Sequence, residues 1–149
     1  MELIIVIAVI GIMSAFFINN QGSASKKARD AQRRSDMKQY QSALEVFANK
    51  KNGFYPSRGL ETGQPAATVL CSDLALTNCP QDPLYAKDAS FFYRYQSNGS
   101  GQANLDATIY VLWDKLETTT DYLVICSNGK TGTKPQTGWV NPAGGVCPL

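Results

Sequence analysis

The chain has 149 residues, a net charge of +2 and a charged fraction of only 17%. That length suits one domain with a moderate core, and the charge is too balanced to argue attraction to nucleic acid or membrane on its own. Histidine is absent, which removes the commonest acid–base catalyst and metal ligand together.

Residues 3–18 are almost wholly apolar, with one carboxylate, Glu2, at their mouth. As a helix the run is about 24 Å long, a little short of the roughly 30 Å hydrocarbon core of a bilayer. It is apolar all round, so it does not suit the surface of a small soluble domain and requires either lipid or copies of itself. A secretory signal peptide has a basic start and a small-residue cleavage site. Here the start is acidic, and bulky Phe16, Phe17 and Ile18 precede Asn19. A plain membrane anchor accounts for the length but leaves Glu2 unexplained, because a carboxylate in hydrocarbon is costly unless paired.

Glu2 followed by Leu-Ile-Ile-Val-Ile-Ala-Val-Ile-Gly-Ile-Met-Ser-Ala resembles the start of mature type IV pilins and pseudopilins. In that family a glutamate heads the hydrophobic helix and a Gly-Ile pair, here Gly11-Ile12, ends its first stretch. The resemblance is specific up to about residue 15 and fades beyond. It implies that Glu2 meets the N-terminal amine of a neighbouring subunit, a pairing that sets register more securely than it adds stability. Family members carry a few further residues ahead of the glutamate, whereas Met1 directly precedes Glu2 here. We therefore expect the true mature end to lie outside the sequence as written. Residues 1–25 are expected to form the filament-core or transmembrane segment, and residues 26–149 the globular head.

Asn19, Asn20, Gly22, Ser23 and Ser25 are weak helix formers, and the resemblance implies local melting within residues 11–25 in a filament. Helix propensity returns at Lys26, predicting an amphipathic helix over 26–52. Residues 26–38 carry Lys26, Lys27, Arg29, Arg33, Arg34 and Lys38 against Asp30 and Asp36, a local +4. That block reads as a solvated or subunit-facing surface, with DNA or acidic headgroups as the other partners it would suit. Met37, Tyr40, Leu44 and Phe47 are spaced three, four and three, so they form one stripe for packing on a sheet, with Ala43 and Ala48 beside it. Asn52-Gly53 supplies a left-handed stop with Pro56 beyond.

Residues 53–90 read as a connecting loop with short helical turns near 67–70 and 72–76. Residues 91–96, 108–113 and 122–126 read as strands, rich in aromatic and β-branched residues and linked as an antiparallel meander. The tail from Ser127 is dominated by glycine and proline turns and shows little strand character. The four cysteines, Cys71, Cys79, Cys126 and Cys147, allow three pairings. The local ones, Cys71–Cys79 and Cys126–Cys147, are expected, the second resembling the C-terminal disulfide loop of many pilins. Disulfides imply an oxidising, extracytoplasmic setting.

No glycine-rich phosphate loop, nucleophile elbow or metalloprotease helix is present, so no enzyme activity, catalytic residue or cofactor is assigned. Asp106, Asp114 and Glu117 read as ordinary surface acids. The resemblance to calcium-binding pseudopilins points to Asp82, Asp88 and Asp121, but no spacing matches a calcium motif, and no metal site is assigned. Asn98-Gly99-Ser100 is an N-glycosylation sequon. The expected fold is α+β, a long N-terminal helix packed on a small antiparallel sheet, type IV pilin-like. The expected function is that of a structural subunit in an extracellular type IV pilus-like filament serving adhesion, motility or DNA uptake. Its implied partners are identical subunits, an inner-membrane pool before assembly, the assembly machinery and a prepilin peptidase. The alternative is a major pseudopilin of type II secretion. An archaeal filament protein is the third class, disfavoured because such helices typically lack the glutamate.

Overall fold

A computed structural model describes residues 2–18, 21–59, 63–101 and 104–149. The chain is α+β: two helices, α1 (Glu2–Ile18) and α2 (Gln21–Lys50), precede a five-stranded antiparallel sheet. Gly11 and its neighbours to Ile18 are helical, as are residues 21–25. The part of the expected melting that falls on Asn19 and Asn20 lies outside the described residues.

α2 ends as its sequence dictates. Asn52 adopts φ 55° and Gly53 φ 86°, and the Gly53 amide bonds back to the Ala48 carbonyl at 2.8 Å, closing orphan carbonyls with a left-handed turn. Its buried face is Asp30, Arg33, Met37, Tyr40, Leu44 and Ala48, with successive spacings of three and four residues that keep one side of the helix toward the sheet. Phe47 is only half-buried. The four-residue step from Leu44 reaches Ala48 instead, and Phe47 falls beside the stripe, lining a surface groove with Val46, Leu74 and Leu76. The stripe is thus corrected by one position at its C-terminal end.

The sheet runs β1 (Gln64–Pro65), β2 (Arg94–Ser97), β3 (Tyr110–Lys115), β4 (Asp121–Cys126) and β5 (Thr131–Pro135), each strand antiparallel to the next. A short helix, α3 (Ala66–Val69), follows β1. The three expected strands form the expected antiparallel meander, though β2 begins at Arg94 rather than at residue 91 and β3 at Tyr110 rather than at residue 108. The connection over 53–90 holds a strand and a helix of its own, and the tail contributes an edge strand, β5. β5 has no signature in the sequence, because Thr131, Gly132, Thr133, Lys134 and Pro135 carry no apolar alternation. Lysine and proline on such an edge discourage pairing with other chains.

Register sorts the side chains into two cores. Tyr95, Tyr110, Leu112, Leu123 and Ile125 pack with Met37, Tyr40 and Leu44 of α2. Val111, Trp113, Val124 and Cys126 point to the opposite face and pack with Trp139, Cys147 and Leu149 of the tail. Both faces of β3 and β4 are covered, which is why these strands read as continuous apolar runs rather than as alternating ones.

Candidate assembly helix and buried charge cluster

α1 presents apolar surface in every direction. Its large side chains from Leu3 to Met13 are between 47% and 79% exposed. Gly11 has nothing within 4 Å of where a Cβ would stand, and Ile12 is exposed beside it. The backbone of Glu2 opens the helix; its side chain is outside the described residues. The Ser14 hydroxyl donates to the Ile10 carbonyl at 2.8 Å, so its polar atom is satisfied within the helix. At 17 residues α1 reaches about 25 Å. Among the described residues no helix is long and apolar enough to cross a membrane.

The basic block divides. Lys26, Lys27, Arg34 and Lys38 are exposed, whereas Arg33 is completely buried and Asp30 nearly so. Arg33 is enclosed by carboxylates. Its Nε and Nη2 donate to the two oxygens of Asp82 at 2.5 and 3.0 Å, and Nη1 donates to Asp30 and Glu117, each at 2.7 Å. Arg29 adds a two-bonded grip on Glu117 at 2.7 and 2.6 Å. Asp30 accepts from the amides of Glu117 and Thr118 at 2.9 Å each and from the Thr118 hydroxyl at 2.6 Å. Residues 29–33 of α2 are thereby bonded directly to the β3–β4 connection and to the segment carrying Asp82.

Burial works against the charged form of Arg33, but the hydrogen bonds of Asp82, Glu117 and Asp30 outweigh it and keep the guanidinium protonated. Burial likewise works against the Asp30 carboxylate, which the Thr118 hydroxyl and the amides of Glu117 and Thr118 hold below the usual range. Arg29 and Arg33 lower Glu117 against the opposing effect of burial. Asp114 is the exception: burial and adjoining Asp82 push its carboxyl well above the ordinary value.

The acids read from sequence as surface groups thus separate. Asp114 and Glu117 belong to this cluster. Asp106 lies elsewhere, taking the hydroxyls of Ser57 and Ser100. Of the three calcium candidates, Asp82 is occupied by Arg33 and the Leu84 amide, and Asp88 accepts from the Ser90 amide at 2.9 Å. Asp121 is half-buried at the start of β4. Among the described residues no group of three or more His, Cys, Asp or Glu side chains is placed to hold a metal ion. The Asn98 side chain bridges to Thr108 and Ile109 through three hydrogen bonds, so its amide is already engaged.

The disulfides are Cys71–Cys79 and Cys126–Cys147. The second fixes the tail across the outer sheet face, where Trp139 lies 4.5 Å from Tyr122 and 6.2 Å from Trp113, ring to ring.

No family model, curated protein or solved structure matches the chain.

What sequence reading missed is the buried half of the charge block. One signal was available: Asp30 and Arg33 stand seven and four residues before Met37, in phase with the apolar stripe.

Proposed function

We propose that the chain is a structural subunit of a type IV pilus-like filament, stored in a membrane and assembled by bundling α1 from many copies. The observation that carries this reading is the bare apolar surface of α1, seen beside a head whose own core is complete without it. Covering the exposed large side chains of α1 is worth on the order of 10 kcal/mol per subunit by apolar area. Among the described residues the two cores of the head are built from α2, the sheet, the connection and the tail, with no side chain of α1 in either. Lipid and identical helices are the two environments that supply such cover. A helix somewhat shorter than the hydrocarbon core is accommodated in a bilayer by thinning or by flanking residues reaching the interface, at a fraction of a kcal/mol per Å.

The resemblance of residues 2–15 to mature pilins, the α+β head and the disulfide-tied tail support the same reading. The strongly bonded junction between residues 29–33 and the sheet suits a subunit in which α2 carries load from a filament core to the head. Glu2→Val is the direct test. The head should keep its fold while filament yield falls, and an unchanged yield would remove Glu2 from assembly.

A further inference from the structure

Asp114 lies on the sheet face that meets α2, with no exposed surface. Its Oδ1 accepts the Lys115 amide at 2.8 Å and lies 3.6 Å from Arg94 Nη1. Its Oδ2 has no hydrogen-bond donor and lies 3.8 Å from Arg33 Nε. That same Nε holds Asp82 Oδ2 at 2.5 Å. Two carboxyl oxygens from different elements therefore crowd one N–H, and only one of them takes it.

Charge counting points the same way. The groups in mutual contact are the cations Arg29, Arg33 and Arg94 and the carboxyls Asp30, Asp82, Asp114 and Glu117. Full ionisation would leave one uncompensated negative charge out of water, where an unpaired charge is strongly disfavoured. A single proton balances the set and gives Asp114 Oδ2 a bond to make. We propose that Asp114 and Asp82 form a buried proton-binding site, with Asp114 Oδ2 donating its proton to the Asp82 carboxylate and so tying β3 to the Asp82 segment and to α2 through Arg33.

The remaining groups that face the pair do not replace the proton. Tyr93 gives its hydroxyl to Asp36 at 2.7 Å. Lys115 sits 5.5 Å above the Phe91 ring, with Arg33 at 5.1 Å from the same centroid. Tyr122 lies on the outer face with Trp139. Burial and the neighbouring Asp82 both favour the neutral form of Asp114, against weaker opposition from the Lys115 amide and Arg33. Asp82 stays ionised although burial opposes it, because Arg33, Asp114 and the Leu84 amide all bond to its charged form. Raising the pH transfers the shared proton to hydroxide, forming water and leaving two carboxylates side by side.

In the unfolded chain Asp114 ionises near the ordinary value of about 4, whereas in the folded head it ionises only at a higher pH. The head therefore loses stability as pH climbs above about 4, until the folded site itself ionises; beyond that the loss is complete and the curve flattens. The test uses the full chain in detergent micelles, following side-chain carboxyl carbon shifts by NMR and urea midpoints from pH 3 to 9. The expected result is an Asp114 carboxyl that titrates well above the ordinary carboxyl range beside an Asp82 that is already ionised there. Above about pH 5, clear of the acid limb that the depressed carboxyls Asp30, Asp82 and Glu117 give to both proteins, a urea midpoint that falls with rising pH in the parent and is flat in Asp114→Asn is expected with it. An Asp114 resonance that titrates near 4 in the folded chain overturns the proposal, as does an Asn variant that keeps the parent slope. Should Asp114→Asn fail to fold, the NMR titration of the parent decides alone.

Discussion

Arg33 of α2 and Asp82, 49 positions later, meet through two parallel hydrogen bonds with neither side chain exposed to water. A fork of this kind fixes orientation as well as distance. It also ties a helix that starts in polar sequence to the segment between α3 and β2, before its apolar stripe begins at Met37.

Removing the centre of that cluster should cost more than any surface charge change. Arg33→Ala leaves Asp82 and Asp30 buried without their cation, Glu117 keeping Arg29, and a loss of about 3–5 kcal/mol is expected. Arg34→Ala, one residue along and exposed, should change stability by less than about 0.5 kcal/mol. Urea denaturation followed by the fluorescence of Trp113 and Trp139 separates the two.

On the acid side the head should weaken for a different reason. Asp30, Asp82 and Glu117 are all held below their usual values. A carboxyl whose folded value is depressed contributes stability above its unfolded value, near 4, and loses it as pH falls through the folded value. Urea midpoints should therefore drop steeply below about pH 4. Glu117→Gln should flatten part of that limb, with circular dichroism as the readout.

Much of this architecture was legible in the residues. The helix stop at Asn52-Gly53, the three central strands and the Met37-Tyr40-Leu44 face each rest on a local rule, and local rules act before tertiary contacts do. Three features were not legible, for physical reasons. β5 has no apolar alternation, since as an edge strand over the Lys130 and Lys134 side its pairing is set by the turn at Asn128-Gly129 and by the backbone of β4. Phe47 lost its place to Ala48 because a mixed three- and four-residue spacing fits either until the sheet decides. The Arg33 cluster joins residues more than 80 positions apart, and no periodicity reports which charges will find partners at that range.

The tail should depend on its covalent tie. Cys147→Ser opens a loop with a sequence separation of 21, for which loop-closure entropy gives about 3 kcal/mol. The near-ultraviolet signal of the Trp139–Tyr122 pair should fall with it, while α2 retains its far-ultraviolet signal.

Gly145 closes the tail on the sheet. It has φ +69°, and a Cβ there would stand 2.9 Å from the Ile109 carbonyl oxygen and 2.9 Å from Ser97 Cα. Gly145→Ala should lower stability by more than about 1 kcal/mol. Gly129→Ala, also at positive φ but with open space around it, should cost less, because only the backbone is strained. Thermal melts of the two variants in parallel would show the difference.

Electron microscopy of material sheared from the surface of cells producing the chain tests the central claim most directly. Thin filaments built from this subunit, with α1 packed at the axis and the heads outside, are predicted. A preparation in which the chain occurs as a free monomer, or a polymer that leaves α1 facing water, would contradict it.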